Sequence, residues 1–170
     1  MRINALNALD DEEARRAFYK CCAAQRWAKE LVARRPFGSA QELYTVSDQV
    51  WWQLDRDDWL QAFDGHPKIG DMDSLREKYG DSRSWSEGEQ HGVDGASEEI
   101  LQRLADGNTA YEEKFGYIFI VCATGKSASE MLTILEDRLP NDPDEEIKIA
   151  AGEQAKITRI RLEKLLDDLN

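Results

Sequence analysis

Apolar residues recur at helical spacing along almost the whole chain. Over residues 11–35, Ala14, Ala17, Phe18, Cys21, Ala28, Leu31 and Val32 fall on one face until Pro36, which lacks an amide hydrogen and stops the run. The stretch reads as one helix or as two. Ser39, with Glu42 three residues on, opens a helix carrying Leu43, Val46, Val50 and Trp51, and a shorter one from Asp55 presents Trp59, Leu60 and Phe63. A helix over 97–115, announced by Ser97, Glu98 and Glu99, places Ile100, Leu101, Leu104, Tyr111 and Phe115 on one stripe, with Gly116 as its stop. Ser127 and Glu130 form the capping pattern of a helix over 128–139, and Pro140 and Pro143 precede a last helix over 144–169.

Two segments depart from this pattern. Residues 70–95 are rich in glycine, aspartate, serine and glutamate, which predicts a long loop with short helices at 74–79 and around 87–91; such polar connections often carry function. Residues 117–123, Tyr-Ile-Phe-Ile-Val-Cys-Ala, are β-branched and aromatic and predict a buried extended segment. No second segment of the chain reads as its partner strand. Its backbone groups must then be met by helix ends, side chains, water or a ligand, which makes it a candidate binding wall. The fold class that follows is all-α, a single-domain helical bundle over 1–170 with one short extended segment near 117–123. A chain of 170 residues buries an adequate core without disulfides or metals.

Charge narrows the choice of partners. With 34 acidic against 22 basic residues the formal net charge is −12, which argues against nucleic acid or an anionic membrane face. An acidic protein that handles an anionic substrate must build a local positive site, so an arginine on an apolar face becomes informative. The three cysteines, Cys21, Cys22 and Cys122, are odd in number and lack metal-type spacing, as expected of a reduced intracellular protein that uses them for packing. No signal peptide is visible over residues 1–10, and the longest apolar run, 117–123, is too short to span a bilayer, so the expected compartment is cytoplasmic.

His66, one of only two histidines, lies in Phe63-Asp64-Gly65-His66-Pro67-Lys68-Ile69-Gly70. Pro67 pushes the residue before it away from helical geometry, so the imidazole projects from a stiff corner directly after a helix. A histidine held this way suits proton transfer near neutral pH; a plain helix-ending turn has the same pattern. On the last helix, measured from Ile147 at 100° per residue, Ala151, Leu162, Leu165 and Leu169 fall between about 0° and 60°, and Arg161 lies beside them at about −40°. Arg159, at about 120°, is an ordinary surface charge. An arginine on the core side needs a carboxylate, carbonyls or a ligand anion, and an internal salt bridge or a snorkelling side chain meets that need as well as a ligand does. Ser86-Glu87-Gly88-Glu89-Gln90 gathers a hydroxyl, two acids and an amide in one turn, although Ser86 and Glu89 are also a capping pair. A metal site using His66, His91 and nearby acids lacks any recognised ligand spacing, and there is no phosphate loop, nucleophile elbow or dinucleotide fingerprint.

Taken together, the His66 motif, Ser86-Glu87-Gly88-Glu89-Gln90, Lys114-Phe115-Gly116-Tyr117-Ile118-Phe119-Ile120 and Ile160-Arg161-Leu162 resemble the OHCU decarboxylase family, where OHCU is 2-oxo-4-hydroxy-4-carboxy-5-ureidoimidazoline. Bacterial members also resemble the chain at Asp142-Pro143-Asp144 and Gly125-Lys126-Ser127. The resemblance covers nearly the whole chain and implies a helical fold of its own type, a homodimer, and a cofactor-free and metal-free step of urate breakdown that yields (S)-allantoin and carbon dioxide. By the same resemblance His66 and Glu89 are the catalytic residues. Pro67, Ser86, Glu87, Gly88, Glu89, Gln90 and Arg161 contact substrate, and Phe119, Ile120, Val121, Cys122 and Ala123 supply backbone contacts. Cys21-Cys22-Ala23-Ala24 departs from the Gly-Ser often found in members, which leaves the break in the first helical region open. Two alternatives remain at this level: another cofactor-independent lyase or hydrolase of a related ureido compound, and a non-catalytic helical adaptor. The adaptor gives His66 and Arg161 no task.

Overall fold

The computed structural model describes residues 2–67 and 91–169, with side chains over 2–67 and 98–169. Eight helices and no strand occur among these residues: α1 (Arg2–Ala8), α2 (Asp11–Cys21), α3 (Gln25–Ala33), α4 (Ala40–Gln53), α5 (Arg56–Asp64), α6 (His91–Phe115), α7 (Ala128–Arg138) and α8 (Pro143–Asp168). The chain divides into two compact units, Met1–His66 with Ala150–Asn170 and Pro67–Ile149, and α8 contributes to both.

In the first unit the run over 11–35 is two helices. Asp10 caps α2 by accepting from the Glu13 amide, and the chain then turns extended at Cys22 and Ala24 before α3 begins. Phe18 and Trp27, one from each helix, meet edge to face at 6.0 Å, and both are fully buried. Removing side chains of this size from water contributes about 1.5–3 kcal/mol each. The indole N–H groups that come inside with them find carbonyls: Trp27 donates to Ser47 at 3.4 Å and Trp51 to Ala151 at 3.0 Å. Ser39 caps α4 as its spacing predicts, but Glu42 returns to the Gly38 amide, one residue before the cap. A reciprocal box forms instead at the start of α5, between Asp55 and Asp58.

Helix α1 carries no clear sequence signal, and seven residues are too few for a helix to hold by itself. It is held from a distance. Arg35 places Nη1 on the carbonyls of Leu6 (3.0 Å) and Leu9 (2.7 Å), and Asn7 brackets the Phe37 backbone from both sides. Ile3 and Leu6 are buried as a result.

In the second unit α6 starts at His91, so the expected loop over 70–95 ends earlier and the expected start at Ser97 is corrected. Gly92 and Gly95 lie inside α6; each glycine costs about 1 kcal/mol against alanine, less than nucleating a separate helix. Gly116 adopts φ 85° and ends α6, and Ser127 with Glu130 forms a reciprocal box that opens α7. Residues 118–123 are neither helical nor paired in a ladder, in keeping with the unpartnered segment read from the sequence. The expected short helix at 74–79 lies outside the described residues, as does the one around 87–91 except for His91, which belongs to α6.

Candidate functional site

The corner bearing His66 is built by the end of α5. Phe63 is fully buried and anchors the last turn, and the amides of Gly65 and His66 donate to the carbonyls of Ala62 (3.1 Å) and Phe63 (3.2 Å). Gly65 has an ordinary φ of −73°, so left-handed backbone is not what it supplies. It supplies room: a Cβ there would stand 2.4 Å from the Ala23 Cβ, in the break between α2 and α3. Gly65→Ala therefore forces the corner off Ala23 and is expected to destabilise the fold by about 1–3 kcal/mol. A urea-denaturation midpoint equal to that of the parent would contradict this packing.

The imidazole is half-buried, and Pro67 beyond it is exposed. Nε2 of His66 meets Oε1 of Gln154 at 2.5 Å. Gln154 is wholly buried, and its Nε2 donates to Oγ1 of Thr158 at 3.0 Å. Burial holds the His66 pKa below its ordinary value, the nearby Arg161 cation lowers it further, and the Gln154 bond works in the opposite direction. His66 is therefore biased toward the neutral imidazole.

Neither Gln154 nor Thr158 was singled out by sequence reasoning, although a signal was present. At 100° per residue from Ile147 they fall at about −20° and +20°, in the middle of the apolar stripe of α8. Two polar residues at the centre of a buried face mark a hydrogen-bonded site. Arg161, beside that stripe, is half-buried and donates through Nη1 to the carbonyl of Cys21 at 3.4 Å, at the C-terminus of α2, where a cation is favoured. Among the described residues it meets no carboxylate. Arg159 behaves as its helical phase predicts: it is exposed, ion-paired to Glu163 at 2.8 Å, and lies over the Tyr44 ring. Burial pushes the Cys21 thiol up to about 11 and the Cys22 thiol to about 12, so both stay protonated and serve packing.

The segment 118–123 belongs to the second unit. Ile120 and Cys122 are buried, while Phe119, Val121 and Ala123 are partly exposed. Part of its backbone requirement is met by side chains: Nη1 of Arg138 donates to the Ile120 carbonyl at 2.8 Å, and Nζ of Lys126 to that of Cys122 at 2.9 Å. The guanidinium of Arg138 also lies 4.7 Å from the Phe119 ring centroid. Arg138 is held by Glu146, which accepts from its Nε and Nη2, from the Tyr111 hydroxyl and, on its other oxygen, from Asn141. Glu146 is completely buried, and all of these donors converge on it.

The structure thus brings His66 and Arg161 together in the first unit and holds Phe119, Ile120, Val121, Cys122 and Ala123 in the second. Ser86, Glu87, Gly88, Glu89 and Gln90 lie outside the described residues. A family model described as OHCU decarboxylase matches residues 7–163. The chain belongs to the OHCU decarboxylase family. A crystal structure of OHCU decarboxylase in the presence of (S)-allantoin superposes with a TM-score of 0.72 at 36% identity, covering 94% of this chain and 100% of that one. The Arabidopsis thaliana uric acid degradation bifunctional protein TTL is 39% identical over 149 residues, which are 87% of this chain and 46% of the relative. The chain therefore spans about half of that two-function protein. The 2-oxo-4-hydroxy-4-carboxy-5-ureidoimidazoline decarboxylase of Haloferax volcanii is 24% identical, over 95% of this chain and 94% of its own length. The all-α architecture is that of the OHCU decarboxylase structure, and no described helix is long and apolar enough to cross a membrane.

Proposed function

We propose that the chain acts as one OHCU decarboxylase domain, converting OHCU to (S)-allantoin and carbon dioxide without a cofactor. The observation that carries this reading is the immobilised, half-buried His66, biased toward neutrality and set beside Arg161, in a chain that matches the family over 7–163.

The chemistry asks little beyond placement. When the bond to the carboxylate breaks, its electron pair moves into the adjacent ring carbon–carbon bond as the ring C=N takes up electrons on nitrogen, where a proton is added. The product of that step is an enol. Neutral His66 accepts the proton of the ring hydroxyl as the enol becomes the ketone, and a proton added to the neighbouring carbon on one face gives a single enantiomer. Positioning of this kind lowers the barrier by removing lost orientations. Glu89 binds a substrate nitrogen, Pro67 and Ser86 through Gln90 line the substrate, and the backbone of Phe119 through Ala123 reads its ring and ureido groups. Arg161 anchors the substrate; tight pairing to the departing carboxylate would stabilise the ground state and slow the reaction. The assembly is a homodimer and the compartment the cytoplasm.

Freshly generated OHCU is the test: its carboxylate should be lost faster with the protein than without it, with circular dichroism showing one allantoin enantiomer. Loss at the spontaneous rate, or a racemic product, would overturn the reading. A panel of ureidoimidazolines and allantoin analogues separates this activity from that of a related lyase or hydrolase.

The direction of the His66 shift carries a pH signature. A neutral base is needed, and the folded-state pKa lies below the ordinary 6.5, so kcat/KM should hold its plateau down through pH 6.5 and fall only at lower pH. Folding stability follows the same sign. The unfolded imidazole protonates first as pH drops below 6.5, so the contribution of buried neutral His66 is present above that value and is lost toward the lower folded-state pKa. An acidic limb in kcat/KM centred above pH 6.5 would contradict this assignment.

A further inference from the structure

The buried amide of Gln154 is the only ring partner of His66 among the described hydrogen bonds, and its orientation is not arbitrary. The amide nitrogen of Gln154, which can only donate, faces Oγ1 of Thr158 at 3.0 Å. The amide oxygen faces Nε2 of His66, and an oxygen can only accept.

We propose that Gln154 is a positioning residue that holds neutral His66 as the Nε2–H tautomer, so that Nδ1 carries the lone pair that receives the substrate proton. This rests on the decarboxylase reading for its catalytic consequence, though not for the tautomer itself. The reverse amide orientation would present N–H to Nε2, move the ring proton to Nδ1 and leave no lone pair on that atom. The orientation of one amide on α8 thus decides which nitrogen of a distant histidine is basic. Among the described residues the other ionisable groups at this cluster are Arg161 on the same helix and the two protonated thiols at the end of α2.

The chain has only two histidines, so ¹⁵N-histidine labelling resolves His66 once a His91 variant has assigned the other. In the neutral state the His66 signals should show a proton on Nε2 and a pyridine-type Nδ1. Gln154→Leu, similar in size, should broaden or mix these signatures and lower kcat about tenfold or more while KM moves little. Gln154→Glu keeps an acceptor at the same place, so it should retain the Nε2–H signature and most of the activity at alkaline pH, with the acidic limb of kcat/KM moved up by about one unit or more. A role in packing alone would move neither the tautomer nor that limb. A pyridine-type Nε2 in the parent protein overturns the inference whatever the activity. An Nε2–H signature in a protein that does not accelerate OHCU decarboxylation upholds the tautomer assignment and overturns the proposed function instead.

Discussion

His66→Ala should lower kcat for OHCU decarboxylation by about 10² to 10⁴ while leaving a folded protein, because a positioned general base contributes that much and the side chain is only half-buried. The expected loss of stability is small, about 1 kcal/mol, since the Gln154 carbonyl freed by the change can take a water in the space the ring leaves. The two quantities must be read together. A variant whose thermal transition stays within a few degrees of the parent while turnover collapses separates catalysis from folding. Turnover within threefold of the parent in such a folded variant would end the assignment of His66. A fall in kcat with KM nearly unchanged is the expected form of the loss, as befits a group that acts on the transition state more than on binding.

The second large effect is on folding. Glu146→Ala removes the carboxylate on which Arg138, Tyr111 and Asn141 converge, and leaves a guanidinium buried in the second unit without its counter-charge. Breaking a buried pair from one side costs about 3–5 kcal/mol, which is a large share of a typical domain's stability. Denaturation by urea should show this as a lowered midpoint, and a shift worth less than about 1 kcal/mol would mean the network is already open to water. The double change Glu146→Leu with Arg138→Met should recover much of the loss, because an apolar pair leaves no charge to desolvate. Recovery of stability should not restore function. Arg138 also holds the Ile120 carbonyl and lies against Phe119, so the double variant releases the segment 118–123 and should raise KM for OHCU.

Sequence reasoning was sufficient to place some of these groups, though not to find the networks that join them. The corner at His66 was legible because glycine and proline flank it, and the core-side placement of Arg161 because helical phase sets it beside an apolar stripe. Both arguments use local geometry that the chain carries with it. The lone segment 117–123 was legible from its composition, and the absence of a partner strand correctly directed attention to side chains as its hydrogen-bond partners. The families of helices followed from spacing and caps, including the Ser127 box and the Gly116 stop.

Other features depended on contacts between residues far apart in the chain. Helix α1 exists because Arg35 reaches its C-terminal carbonyls, and no pattern within residues 2–8 encodes that. The start of α6 at His91 overrode a good capping signal at Ser97, since continuing a helix through glycine is less costly than starting one. Gly65 lies in the helix-ending turn that its pattern allows, but its φ is ordinary and the close approach of Ala23 is what excludes a side chain.

By itself, then, the order of residues determined the helical class, the stiff corner at His66, the exposed phase of Arg159 and the family, because each depends on local backbone preference or on motifs contiguous in the chain. Tertiary structure decided which of these groups act together: Gln154 on His66, Thr158 on Gln154, the end of α2 on Arg161, and Glu146 through Arg138 on Ile120. The physical reason is that a polar group taken out of water must find a partner within hydrogen-bond distance, and folding supplies that partner from positions as remote as residues 66 and 154.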